Sequence, residues 1–426
     1  MISKDLVETT HSRKQIYIEA VRGLAALLVV FTHFMMAFYP SAAYGAKYQA
    51  HGEWEKLFIQ TPLSILLQGE FAVCLFFVLS GYVLSLPYFG PGSRDNNHLL
   101  AASIKRPFRL GGMVIFSELV AFALLYSFGF YNVEVSKVSF SNPWLYDNGS
   151  PIRSSLGQFL LDITTSPFAK GTLYNSPLWT IQLELYGSFL VFGLLLLFRK
   201  SAWRVLVYIA ALVYFRNELY QAFIIGIIFC DVHQTGPKLV TRLKMPILIW
   251  PLLMAGLLAA SYPHYAADGL AGTMYGHWPR LHGIGGGYSM IGATLIFAAL
   301  LLNPALQEIL SKPLFAFCGR ISFSVYAMHF LLLGSFTSWL FLRLNGTLNY
   351  DISCIVCAAV SLASLLVIAY MVTRCVDEPV TRAANKIGKL WFRIREPAKA
   401  PAPVPVVAWH NRPDPTQPAA GRPATT

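Results

Sequence analysis

Charge is what this sequence is short of. Only 13% of its 426 residues are Asp, Glu, Lys or Arg, while 55% are apolar and 14% aromatic; a soluble domain carries about twice that charge. A water-soluble globule is thereby excluded. So is a large domain outside a membrane, because ten spanning helices of roughly 20 residues would take close to half the chain. Cysteine is scarce too: Cys74, Cys230, Cys318, Cys354, Cys357 and Cys375 all fall inside or at the ends of apolar runs, so no disulfide framework is expected. The Cys354–Cys357 CxxC has no partner ligands in its apolar run and reads as packing. No H-E-x-x-H or comparable ligand spacing exists, so no metal is expected. No small-residue cleavage site follows the first apolar run, which is expected to be retained. No internal repeat is visible, which disfavours inverted-repeat transporters.

What is present is a series of ten apolar runs: 23–39, 70–89, 110–131, 177–198, 202–216, 219–232, 246–262, 286–302, 313–342 and 352–374. Pro, Gly, Asn and Asp collect between them. The expectation is an all-α polytopic membrane protein of about ten transmembrane helices with both termini cytoplasmic, placed in the cell (inner) membrane. The fifth and sixth runs are short because Arg216, Asn217 and Glu218 interrupt them, leaving tilting or a re-entrant hairpin open. With the amino terminus inside, the 33 Lys and Arg sort as about 25 inside and about 8 outside. Most of the +12 formal charge is therefore topological, and no nucleic-acid partner is needed. Residues 1–395 read as one membrane domain. Residues 396–426, with eight prolines, read as a disordered cytoplasmic tail. The loops 40–69, 132–176 and 263–285 are long and aromatic, a setting for binding groups. Sequons at Asn148-Gly-Ser150 and Asn345-Gly-Thr347 lie in outside loops.

An ionisable side chain in mid-membrane costs roughly 2.5–3.5 kcal/mol on insertion scales, so each needs a partner, a cavity or a function. Arg22 and His33 are eleven residues apart, which on a helix puts them on one face and roughly 16 Å apart. A cation at the interface and an imidazole deeper in would suit a threaded anionic ligand; a snorkelling Arg and a core His are the bland alternative. Ser80-Gly81 admits a close backbone. Lys105, Arg106 and Arg109 gather cations suited to phosphate or, equally, to lipid headgroups. In the fourth run Thr180, Glu184 and Ser188 share one stripe, and Trp179, Gln182 and Tyr186 another; Glu184 reads as cavity-lining or as half of an ion pair. In the ninth run Ser322, Tyr326 and His329 align above Arg320, with His329 at a depth like that of His33. The two histidines can build a polar pocket, and a lone core histidine remains the alternative.

These stretches together resemble the acyltransferase-3 family of integral membrane acyltransferases. The resemblance rests on Glu19-Ala-Val-Arg22 through His33, Phe76-Phe-Val-Leu-Ser80-Gly81, Lys105-Arg106-Pro-Phe-Arg109, Leu178-Trp179 through Glu184, Gly319-Arg320 through His329, and Glu378-Pro-Val-Thr-Arg382, in that order over about residues 15–390. It implies a ten-helix enzyme that takes an acyl group, often acetyl, from cytoplasmic acyl-CoA to a hydroxyl, commonly of a carbohydrate on the far side. Arg22 and His33 match the family's essential pair. Two positions depart from the pattern: Glu19 stands where Asp is usual, and Lys105 where an arginine is common. No extracellular esterase-like domain of the kind some members carry is expected, so the membrane part is expected to complete transfer alone.

Depth and resemblance combine into one expectation. Arg22, Lys105, Arg106 and Arg109, with Ser80 and Arg320, hold the acyl-CoA (acetyl-CoA) donor. His33 acts as general base toward the acceptor hydroxyl, with Arg22, Glu184 and His329 completing the catalytic set. Glu184 orients His33 or lines the acceptor path with Trp179, Tyr186 and Tyr326. Direct transfer and a covalent acyl-histidine both remain open. The competing class is a proton-coupled transporter with a relay through His33, Glu184 and His329.

Overall fold

A computed structural model describes residues 2–141, 155–168, 174–281 and 287–392. Asn148 of the first sequon and the 396–426 tail lie outside the described residues; Asn345 closes the helix Ser338–Leu344. Among the described residues every regular element is helical, as an apolar environment demands of a backbone that must satisfy its own hydrogen bonds.

Each of the ten apolar runs is a helix. They are α1 (Ile2–Phe38), α2 (Gly69–Ser85), α3 (Asn96–Tyr126), α4 (Trp179–Phe198), α5 (Arg204–Tyr214), α6 (Tyr220–Thr235), α7 (Pro246–Ala260), α8 (Gly287–Leu302), α9 (Pro313–Leu332) and α10 (Tyr350–Val372). An eleventh, α11 (Glu378–Phe392), continues α10 after a π-helical turn. Fewer than ten have the length and apolarity of a full membrane span. Six spans among the described residues are long and apolar enough to cross a membrane, and up to eight if two sharply bent pairs, one ending in α7 and one starting in α8, each count as one. The shortfall lies where the interruption at 216–218 predicts it. α5 has 11 residues and α6 has 16, short of the roughly 20 that a bilayer requires. Asn217 turns the chain between them with φ of 65°.

Two boundaries also differ from the hydropathy reading. α1 extends well before Gly23, which places Arg22 inside a helix rather than at its start. α3 starts at Asn96, so the basic cluster sits within it, with Pro107 as an interior residue. Asp95 caps α3 by accepting from the His98 backbone N–H at 3.0 Å, a bond that, with the His98 side chain, holds the Asp95 carboxyl below its usual range.

Glycines set the closest helix crossings. α1 packs most extensively on α9, where a Cβ on Gly23 would run into the Cys318–Gly319 backbone and one on Gly319 into Glu19–Ala20. α2 meets α6 in the same way: Gly81 abuts the Phe223 backbone and Gly226 abuts Val78 and Gly81. Close approach of this kind replaces the hydrophobic driving force that lipid cannot supply. α1 and α9 therefore lie side by side and parallel, since Gly23 meets Gly319 and, further along, His33 meets His329.

Candidate active site

The α1–α9 crossing brings two Arg-to-His helices into register. At the Arg22 level a cavity of about 230 Å³ is lined by Arg22, Arg106, Arg109 and Arg320, and also by Glu19, Glu184 and Asp377. Four guanidinium groups face three carboxylates there, so the net positive charge is small and pairing decides what remains for a ligand. Arg106 and Glu184 are 5% and 7% exposed and form an ion pair. Arg106 Nε donates to Ser188 Oγ at 2.9 Å, and Ser80 Oγ donates to Glu184 Oε1 at 2.9 Å. These hydrogen bonds are what makes a buried pair tolerable. Arg320 Nε donates to Glu378 Oε1 at 3.1 Å, and Glu378 also takes Arg374 at 3.3 Å. Arg22 differs: its Nε is buried without a hydrogen-bond partner, as is Asp377 Oδ1.

The expected phosphate contacts therefore divide. Arg22 and Arg109 line the cavity outside the Arg106–Glu184 pair. Arg106 lines it too, but its guanidinium is committed to Glu184 and Ser188, and Ser80 serves that same pair. Lys105 does not line it: its Nζ donates to Asn385 Oδ1 at 3.2 Å on α11. Glu184 lines the arginine cavity and not the cavity of His33, and its Oε1 is held by Arg106 and Ser80.

His33 meets His329. His33 Nδ1 and His329 Nε2 are 2.8 Å apart, and the rings are parallel with centroids separated by 5.1 Å. The hydrogen positions follow from one further bond. His329 Nδ1 lies 2.8 Å from the Tyr326 carbonyl, which can only accept, so Nδ1 carries the hydrogen. In the neutral ring Nε2 then carries the lone pair, and the hydrogen between the rings belongs to His33 Nδ1. His33 Nε2 is left as the basic nitrogen.

His33 lines a second cavity of about 160 Å³ together with Thr180, Tyr326, Trp179 and Glu70. Val73, Thr180 and Tyr326 line this cavity and the arginine cavity alike, so the two adjoin. Tyr326 is anchored there: its hydroxyl donates to the Pro177 carbonyl at 2.6 Å and is 2.7 Å from Thr180 Oγ1. His329 lines the opposite side of the pair, an apolar cleft of about 680 Å³ between α1 and α10. Of the proposed acceptor contacts, Trp179 and Tyr326 reach the second cavity, whereas Tyr186 is 39% exposed and donates to the Phe168 carbonyl at 3.0 Å. The Thr180–Glu184–Ser188 stripe is the inward face, and the Gln182–Tyr186 stripe faces away. Sequence reasoning missed Glu70 and Asp377. Each stands at the edge of an apolar run, where a charge costs little, and no local signal says that packing will bury Glu70 or enclose the Asp377 Oδ1 atom.

A profile of the acyltransferase-3 family, described as an acyltransferase domain, matches residues 15–371. No curated protein and no solved structure matches the chain.

Proposed function

The chain belongs to the acyltransferase-3 family and is a multi-pass membrane acyltransferase, and from that premise we propose that it moves an acetyl group from cytoplasmic acetyl-CoA to a hydroxyl of a carbohydrate acceptor across the membrane. The observation that carries this reading is the His33–His329 pair, whose hydrogen-bond direction makes Nε2 the basic nitrogen of a histidine that lines a cavity adjoining the arginines. Arg22 and Arg109 hold the nucleotide phosphates. The pantetheine arm passes Val73, Thr180 and Tyr326, and the thioester lies at His33. A space of about 160 Å³ favours a short acyl group beside an acceptor.

In the transfer, His33 Nε2 takes the proton of the acceptor hydroxyl as its oxygen bonds to the thioester carbon. The carbon–sulfur bond breaks, and the CoA thiolate recovers the proton from His33. His329 is a positioning residue: it keeps His33 in the tautomer whose Nε2 is basic, as second-layer hydrogen bonds do at metal-bound histidines. The arginine end faces the cytosol in this proposal, in keeping with the distribution of basic residues. A proton relay through His33, Glu184 and His329 has less support, since Glu184 bonds to Arg106 and Ser80.

The test is CoA release from acetyl-CoA by purified protein, alone and with sugar acceptors. Release that depends on His33 supports the proposal; a His33→Ala protein that is folded and equally active overturns it.

A further inference from the structure

The second cavity holds a carboxyl group that the transfer chemistry leaves unused. Glu70, at the start of α2, is 6% exposed, and both of its carboxylate oxygens are buried without a hydrogen-bond donor among the described residues. A carboxyl group, ionised or protonated, offers several hydrogen-bonding sites, and buried polar groups left unmet are rare in folded proteins. Three hydroxyls around it are engaged elsewhere: Thr32 donates to the Leu66 carbonyl at 3.2 Å, Tyr44 to Met36 Sδ at 3.7 Å, and Tyr326 to the Pro177 carbonyl at 2.6 Å; the Tyr265 hydroxyl shares the cavity but makes no hydrogen bond to Glu70. No Lys or Arg is among the described residues lining the cavity. His264 Nε2 lies 3.6 Å from Glu70 Oε2, beyond hydrogen-bond distance.

We propose that Glu70 binds the acceptor: beside the hydroxyl that reacts at His33, the acceptor presents a second hydrogen-bond donor, a hydroxyl or an ammonium, to the Glu70 carboxylate. Polyols and amino alcohols form the acceptor class, and alcohols with a single hydroxyl are excluded. Trp179, Tyr44 and Tyr265 supply the apolar faces of the same cavity. Because Tyr44 follows α1 and Tyr265 follows α7, this cavity is roofed from the end opposite Arg22. The acceptor thus approaches from the side away from the donor phosphates. This inference rests on the acyltransferase reading and deepens it.

The experiment measures acceptor-stimulated CoA release from acetyl-CoA, and acceptor binding by thermal shift, with three probes. These are methyl glucoside, its 2-amino-2-deoxy analogue, and cyclohexanol as the one-hydroxyl control. Both sugars should bind and stimulate release, and cyclohexanol should do neither. Glu70→Gln, which keeps the shape, should raise the sugar KM about tenfold or more with a smaller effect on kcat, the size expected for one hydrogen bond to a charged group. Glu70→Asp should recover part of the loss. A larger loss for the amino sugar assigns the second donor as ammonium, and equal losses assign it as hydroxyl. Cyclohexanol accepted as well as the sugars, unchanged KM in a folded Glu70→Gln protein, or no binding of any probe overturns the proposal. His33-dependent CoA release, whether to water or to any added acceptor, tests the acyltransferase reading separately; if none occurs, both fall.

Discussion

His329 donates its Nδ1 hydrogen to a backbone carbonyl, and that bond passes a constraint to His33, whose own Nδ1 hydrogen is then held between the rings. The two histidines are accordingly unequal under substitution. His33→Ala should lower CoA release by roughly 10²–10⁴-fold, the span of general-base catalysis. His329→Ala should lower it by about 10–100-fold, because the base survives without its orienting partner; initial rates on protein of unchanged melting temperature check both. The Arg106–Glu184 pair makes a different prediction. Removing one partner strands a buried charge, so Arg106→Met should destabilise the protein by about 3–5 kcal/mol. The double variant Arg106→Met/Glu184→Leu should regain most of that in thermal melting. A phosphate-binding Arg106 with no structural duty would instead lose donor affinity and leave the melting temperature in place.

Helix crossings in this bundle depend on the absence of side chains at a few points. Gly23 and Gly319 let α1 and α9 touch backbone to backbone, and that contact aligns Arg22 with Arg320 and His33 with His329. Gly23→Ala or Gly319→Ala should cost about 1–3 kcal/mol, the range for overpacking, and should reduce turnover as well, because the histidines are set by the same crossing. Gly193→Ala on α4, where a Cβ meets nothing within 4 Å, should be neutral or slightly stabilising in a melting comparison. The Ser80-Gly81 pair in the sequence already pointed to a close neighbour for α2. Only the packed chain shows that neighbour to be the Phe223 backbone of α6.

Across the whole molecule, the arginine cavity and the histidine cavity meet at Val73, Thr180 and Tyr326. A bulky residue at that junction should separate binding from chemistry. Val73→Phe should retain acyl-CoA binding in a titration yet release CoA about 100-fold more slowly, as displacement of a reacting group by an ångström can do; equal losses of both would place the donor elsewhere. Each of the ten apolar runs that hydropathy marks is helical, and Arg216–Asn217–Glu218 marked the place where two of them are too short to cross. Helical spacing likewise identified the inward stripe of Thr180, Glu184 and Ser188, and the alignment of Tyr326 with His329. These are properties of one segment and its solvent, so a local reading reaches them. It did not reach the identity of partners. Glu184 belongs to Arg106 rather than His33, Lys105 turns to Asn385, Tyr186 faces outward, and Glu70 is sealed beside the base. Each of these depends on how far one helix is rotated and displaced against another, a quantity set by contacts between residues remote in sequence and written in no single segment.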